Sequence, residues 1–397
     1  MKLKTIKQLK NLKNKTVFVR VDYNVILKNN KVLETERIER SFSTINYLLK
    51  NKAKIILASH LGRPDGKPVK EFSLRPIVKY LNKITQKRVY FADDCLGEKV
   101  QKQASSLKAG QILLLENLRF YPGEEKNDAK FARELASLAD IYVNDAFAVS
   151  HRAHASVNAI AKILPAYAGI NLADEVINLS RLIKGFKKPA VAVIGGVKIS
   201  TKIKVIDNFL RKYDYVLIGG ALANNFYAAQ KINIGQSVYE KDFLPLAERL
   251  MKKAGNKLIL PIDVRVSNNL KGRGAVKAVN IIDLTKVKNK KFFIVDIGPK
   301  TELNFDAYMK LAKTLVWNGP MGVFEIDKYA HGSEFVAKNA AILSKGPAFG
   351  VAGGGETIAV IEKFKMKNWF DFVSTAGGAM LEFLEGKILP GLKPLKK

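Results

Sequence analysis

Apolar residues along this chain gather in short continuous runs, each followed by a segment whose apolar positions fall three and four apart. The first half carries TVFVRVD (16–22), KIILASH (54–60), ILLLENLR (112–119) and IYVNDAF (141–147). The second carries AVAVIGG (190–196), YVLIGG (215–220), KLILPID (257–263), FFIVDIG (292–298), KTLVWNG (313–319), AFGVAGG (348–354) and DFVST (371–375). Continuous rather than alternating apolarity is expected of strands covered on both faces, as in a parallel sheet. Strand–helix alternation then predicts doubly wound α/β architecture. Between the two series lies ADEVINLSRLIKGFKKP (173–189), where Val176, Ile177, Leu179, Leu182 and Ile183 fit one helical face and Gly185 and Pro189 supply a stop. The pattern predicts two doubly wound, Rossmann-like parallel-sheet domains, 1–170 and 187–375, joined by a helix over 171–186.

Composition agrees and narrows the class. A length of 397 residues suits two domains, and 47% hydrophobic with 26% charged residues is globular rather than disordered. No apolar run reaches the ~20 residues of a membrane span. The start, MKLKTIKQLKNLKNKT, is basic without an apolar segment, so it does not read as a secretory signal. The single Cys95 excludes an internal disulfide framework and is expected to be a buried thiol. A cytoplasmic protein is expected, and with no assembly motif evident, a monomer.

The net charge of +31 is unusual. Such a balance can mark a nucleic-acid binder. Here the lysines are scattered singly, with no basic block, zinc-finger spacing or aromatic-interleaved motif. A lysine-rich surface biased toward anionic substrates is the better reading.

Ligands of open parallel sheets bind at the strands' carboxyl ends. In the first half those ends offer Arg20, Asp22 and Asn24; His60 and Arg63; Glu116, Asn117 and Arg119; and Asn144, Asp145, His151 and Arg152, with Arg37 in a polar loop. Converging arginines suit bidentate binding of phosphate and carboxylate oxygens. The second half offers glycine-rich strand-to-helix turns instead. GGVKISTKI (195–203) is expected to open a helix with Lys198 and Lys202 on one face, GGGET (353–357) repeats the plan, and Gly377 and Gly378 do so a third time. Glycines let backbone N–H groups approach phosphate oxygens beside a helix N-terminus. Neither a P-loop nor a GxGxxG fingerprint is present; GRPDGKP (62–68) lacks the spacing. His154 and Trp317 read as structural, His331 as an exposed loop residue, and Glu124 and Glu125 as a solvated turn.

RVDYNV (20–25), SHLGRP (59–64), LENLRFYPGEEKND (115–128), VNDAFAVSHRAHAS (143–156), GGVKIS (195–200), DIGPKT (296–301), VWNGPMGVFE (316–325), GGGET (353–357) and LEGKILPG (384–391) resemble, in order, the motifs of phosphoglycerate kinases. The resemblance implies reversible transfer between 1,3-bisphosphoglycerate with ADP and 3-phosphoglycerate with ATP. It implies that Asp22, Asn24, Arg37, His60, Arg63, Arg119 and Arg152 bind the phosphoglycerate in the first domain. Gly195, Gly196, Lys198, Lys202, Asn318, Pro320, Glu325, Gly353, Gly354, Gly355, Glu356 and Thr357 would bind nucleotide, with Glu356 toward Mg2+. Arg37, Lys198, Gly354, Gly377 and Gly378 would serve the transferring group. It also implies hinge-bending closure and a C-terminal segment, 376–397, returning to the first domain. Glu356, Ala376 and Met380 depart from the family's usual aspartate, glycine and serine. A basic nucleic-acid-binding protein on the same fold, or a kinase for another acyl phosphate, are the alternatives.

Overall fold

The computed structural model describes residues 1–286 and 291–397, which divide into two compact units: 1–177 with 387–397, and 178–386. The first is built on a six-stranded parallel sheet of β1 (Thr16–Arg20), β2 (Lys54–Ala58), β3 (Val89–Phe91), β4 (Ile112–Leu114), β5 (Ile141–Asn144) and β6 (Ala166–Ala168), in the order β3-β4-β2-β1-β5-β6. Val17 pairs with Ile55 on one side and Ile141 on the other, so both edges of β1 are bonded, and the burial of the successive Val17, Phe18 and Val19 shows that both of its faces are covered, as continuous apolarity requires. Strands β3 and β6 escape the sequence pattern. Each has three residues, and Ala-Tyr-Ala of β6 has no β-branched side chain; pairing of Tyr142 with Ala166 makes it a strand.

Helix α1 (Glu36–Lys50) buries Ile38, Ile45 and Leu48. Helix α2 (Ile170–Ile183) carries the chain from one unit into the other. It buries Val176, Leu179 and Leu182, whereas Ile177 is 59% exposed and does not belong to the apolar face assigned to it. The C-terminal return begins at Lys387: Leu3 bridges Lys396, Lys4 N donates to the Leu395 carbonyl at 2.8 Å, and Asn144 Nδ2 reaches Gly391 O at 3.1 Å. Residues 376–386, expected to return as well, belong to the second unit, where Asn208 Nδ2 donates to Leu384 O.

The second unit has a six-stranded parallel sheet of β7 (Ala190–Ile194), β8 (Tyr215–Ile218), β9 (Leu258–Ile259), β13 (Thr314–Asn318), β14 (Phe349–Gly353) and β15 (Phe372–Ser374), ordered β9-β8-β7-β13-β14-β15. Between β9 and β13 the chain forms a separate antiparallel sheet of β10 (Asp263–Ser267), β11 (Val276–Asn280) and β12 (Phe293–Ile297). The run FFIVDIG therefore lies in an antiparallel sheet, not in the expected parallel one. Val295 and Ile297 are buried, and continuous apolarity reports burial without reporting the direction of the neighbouring strand. Helices α3 (Ile203–Lys212), α4 (Leu222–Ala229), α5 (His331–Lys345), α6 (Gly355–Lys363) and α7 (Gly378–Leu384) follow strands or loops of this unit. Trp317 is buried in its core, with Nε1 donating to Gly319 O at 2.9 Å; His331 is exposed but opens α5 rather than lying in a loop. Among the described residues, no helix is long and apolar enough to cross a membrane.

Candidate active site

In the first unit, the end of β1 is an internal brace. Arg20 is 0% exposed; its Nε donates to Ser156 Oγ at 2.8 Å, and its Nη2 lies 3.1 Å from His60 Nδ1. A guanidinium cannot shed its proton, so burial demands a counter-charge. Glu124 supplies it, 4.0 Å away, while accepting from Ser156 N at 2.9 Å and Ser156 Oγ at 2.6 Å. Glu124 is thus fully buried, contrary to the expected solvated turn, and Glu125, though 46% exposed, pairs with Arg119 Nε at 3.0 Å. Other strand-end polar groups are likewise absorbed by the fold. Glu116 accepts from Ser73 Oγ and from the Leu74 and Asn117 amides, and Asn117 Nδ2 donates to the Leu61 and Phe72 carbonyls.

What remains is a cationic surface tied together at Gly62. The Gly62 amide donates to Asn24 Oδ1 at 2.9 Å, and its carbonyl accepts from Arg119 Nη1 at 2.7 Å, so the loops after β1, β2 and β4 are joined at one residue. Its φ is +63°, and a Cβ would fall 2.3 Å from the Phe72 ring, so only glycine fits. Arg119 is 4% exposed, and its Nη2 has no hydrogen-bond partner among the described residues. Such a group carries a desolvation penalty of about 1–3 kcal/mol that an incoming anion would relieve. Burial, followed by the charges of Arg20, Arg119 and Arg152, holds His60 well below its ordinary pKa and His154 down at about 3. Both imidazoles are therefore neutral at physiological pH, and the arginines carry the charge. Arg37 stands in the first turn of α1 rather than in the expected polar loop and pairs with Asp22 at 2.5 Å; Asn24 N donates to Asp22 Oδ1 at 3.3 Å, Arg152 is half-buried and Arg63 is exposed. Cys95 is buried and free, as expected.

The second unit knots the ends of β7, β13 and β14 through backbone. Gly195 N donates to Asn318 O at 2.9 Å, Gly196 N to Pro320 O at 2.8 Å, Asn318 Nδ2 to Gly353 O at 2.6 Å, and Gly319 N to Thr357 Oγ1 at 2.7 Å. A Cβ on Gly195 would meet Pro320 O at 2.1 Å, and Gly196 and Gly354 have φ of +98° and +100°. These glycines are required; Asn318 and Thr357 spend side-chain groups on holding the turns. Glycine is not demanded by packing at Gly355 or Gly377, where an added Cβ would meet nothing within 4 Å. Gly377 and Gly378 stand at the start of α7. Met380 packs on the preceding turn, since a Cβ on Gly353 would lie 2.4 Å from its Sδ, and Ala376 is buried.

The two lysines differ from expectation. Helix α3 begins only at Ile203, so Lys198 and Lys202 do not share a helical face. Lys198 is exposed on the preceding loop, whereas Lys202 is 8% exposed, with Nζ 2.5 Å from Gly195 O and 3.5 Å from Asn318 O. Burial lowers its pKa to about 8, against the opposing pull of Glu356. A Cβ on Gly196 would sit 2.8 Å from Lys202 Nζ and 3.3 Å from Glu356 Oε2, so a lysine and a carboxylate meet at the glycine turn. An adjoining cleft of about 220 Å3 is lined by Gly196, Ala221, Pro320, Met321, Glu325 and Glu356, among others, with Glu325 exposed. Asp296, at the end of β12, also lines it; burial raises its pKa to about 8. In sequence Asp296 is only the first residue of the motif DIGPKT, and its burial beside the cleft is visible in the fold alone. No group of three or more His, Cys, Asp or Glu residues suited to a metal exists among the described residues.

The phosphoglycerate kinase family profile matches residues 6–387. The chain is 46% identical over 396 residues to a phosphoglycerate kinase of Moorella thermoacetica, covering 98% of each, and 42% identical over 401 residues to one of Rhizobium meliloti, covering 100% of each. Among solved structures, phosphoglycerate kinase from Coxiella burnetii superimposes with a TM-score of 0.88 at 41% identity, covering 99% of both chains. That from Pyrococcus horikoshii gives 0.85 at 31% identity, covering 99% and 98%. Two parallel-sheet units, an arginine cluster in one and glycine turns in the other, with full-length similarity of this order, establish that the chain belongs to the phosphoglycerate kinase family of phosphotransferases.

Proposed function

We propose that the chain catalyses reversible phosphoryl transfer between 1,3-bisphosphoglycerate with ADP and 3-phosphoglycerate with ATP. The observation that carries this reading is the placing of Arg119 and Arg152 beside a neutral His60, with Arg119 Nη2 buried and lacking an acceptor among the described residues. It is built for an acid bearing phosphate and carboxylate oxygens. Asp22, Asn24, Arg37, His60, Arg63, Arg119 and Arg152 bind that acid, Asp22 orienting Arg37 toward the transferring group.

Nucleotide phosphates lie over Gly195, Gly196 and Gly353–Thr357, with Lys198 and Lys202 as counter-charges; Asn318, Pro320 and Glu325 border the sugar. Gly354, Gly377 and Gly378 offer backbone N–H groups to the moving phosphoryl. In the ATP-forming direction, a terminal oxygen of ADP bonds to the acyl phosphorus as the bond from phosphorus to the carboxyl oxygen breaks, releasing a carboxylate. That leaving group is stable, so no strong general base is needed and catalysis rests on positioning and charge neutralisation. Glu356, the carboxylate beside Lys202 at the glycine turn, is the residue assigned to hold Mg2+, and one protein carboxylate plus substrate phosphates is a common donor set for that ion. Bound there, Mg2+ would neutralise phosphate charge. The single buried thiol suits a cytoplasmic setting, and a monomer remains the simplest form.

A coupled assay with 3-phosphoglycerate and Mg-ATP tests the reading directly: turnover is expected, and a folded sample without it would defeat the proposal. A pH dependence also follows. With its free-protein pKa near 8, Lys202 loses its charge as pH rises through that value, whereas bound phosphate favours the protonated form. Nucleotide affinity should fall between about pH 8 and 10, with proton uptake on binding. Calorimetry in buffers of different ionisation enthalpy measures both, and the trend should vanish in Lys202→Arg.

A further inference from the structure

The loop that carries Lys198 is fixed on one side by the glycine turn and on the other by a carboxylate from a separate part of the chain. Ser200 N donates to Glu240 Oε2 at 2.8 Å and Ser200 Oγ to Glu240 Oε1 at 2.6 Å, so both carboxylate oxygens close on one residue. Glu240 is itself held at its backbone. Its amide donates to Asn225 Oδ1 at 3.2 Å and its carbonyl accepts from Asn225 Nδ2 at 2.7 Å, with Asn225 fully buried on α4. The preceding residue of the helix, Asn224, donates from Nδ2 to Val238 O at 2.9 Å. The adjoining Ile199 is buried and its carbonyl accepts from the Lys202 and Ile203 amides at 2.9 and 2.8 Å, which sets the start of α3. Lys198 sits between these anchors and the Gly195–Gly196 turn, with its side chain exposed.

From this geometry we infer that Glu240 is a positioning residue for the reaction: through Ser200 it fixes the loop that presents Lys198 to the transferring phosphoryl group. The inference rests on the assignment of Lys198 proposed above. Two parallel hydrogen bonds to one residue restrict both the position and the rotation of the loop, which a single bond would not. Burial alone would raise the Glu240 pKa, but the hydrogen bonds from Ser200 and the charge of Lys198 outweigh it and hold the group below its ordinary value. The carboxylate is therefore ionised throughout the working range. It also lies close enough to feel the charge of Lys198, and the two form no ion pair among the described residues. A charged group needed at a moving phosphoryl is useful only when held in place beforehand, and misplacement by about 1 Å can cost on the order of 10²-fold in rate.

The test is a double-mutant cycle on the intact protein, assayed with 3-phosphoglycerate and Mg-ATP. Glu240→Ala should lower kcat by about 10–100-fold, with a smaller change in the KM for 3-phosphoglycerate. In a Lys198→Ala background the same substitution should change kcat by less than about twofold, because the group it positions is gone. Ser200→Ala reaches the link from the other side. It should reproduce part of the loss and be less than additive with Glu240→Ala, and it remains informative if Glu240→Ala folds poorly. A purely structural role would lower kcat by the same factor in both backgrounds, and that result, or unchanged kcat in both Ser200→Ala and Glu240→Ala, would overturn the inference. Lys198→Ala with full kcat would instead remove the assignment beneath it, and the inference would fall with that assignment.

Discussion

Lys198→Ala is expected to lower kcat by about 10²–10³-fold, the usual consequence of deleting one preorganised group that meets developing charge. The side chain is exposed and makes none of the bonds that hold its loop, which are made by Gly195, Ile199 and Ser200. The thermal midpoint should therefore stay within a degree or so of the parent, on the order of the small effects seen at surface sites. The KM for 3-phosphoglycerate should hardly move, since that substrate is assigned to groups of the other unit. Lys198→Arg keeps the charge on a longer, planar head and should recover only part of the rate. Steady-state kinetics on both variants decide the matter. A kcat within about threefold of the parent for Lys198→Ala would be too small for a group at the reacting centre.

Glu124→Ala is expected to cost about 3–5 kcal/mol of stability, the range for breaking a buried ion pair by removing one partner. Both side chains are essentially inaccessible, and Arg20 would be left charged in the interior with Ser156 deprived of its acceptor. Arg20 Nη2 bonds His60, and Ser156 bonds Arg20, so the loss should spread to the substrate cluster. Glu124→Gln keeps one acceptor oxygen and should lose less than Ala while still leaving Arg20 without its counter-charge. Urea unfolding followed by far-UV circular dichroism gives the stability. The melting-temperature rise with 3-phosphoglycerate reports the site, and should shrink in both variants. A Glu124→Ala protein within about 1 kcal/mol of the parent would mean the pair contributes no more than a surface contact.

Much of the fold was legible because it is written in short-range pattern. The runs at 16–22, 54–60, 112–119 and 141–147 needed only burial on two faces to be recognised as parallel strands, and the structure has a strand within each. Strands β3 and β6 were not legible, because three residues are too short a window to show a pattern and become a strand only when a neighbour supplies the ladder. The same limit explains β10–β12, where pairing direction depends on where the chain returns, a property absent from any local window.

At the candidate site the division is sharper. Residue types at strand ends determined that one half of the chain offers arginines and the other glycine turns and lysines, since these identities restrict the chemistry whatever the exact geometry. The motifs in family order determined the kinship. Only the tertiary structure decided which polar groups are free to bind and which are consumed in holding the scaffold. Arg20, Glu116 and Asn117 look like ligands in sequence but satisfy other buried groups. Glu124 looks like a turn residue and is the counter-charge of a buried arginine. Lys198 and Lys202 look like a helical pair; one is exposed on a loop and the other lies buried under carbonyls. The physical reason is that a side chain's role depends on its solvation and on partners tens or hundreds of residues away, and desolvation is created only when the chain closes on itself.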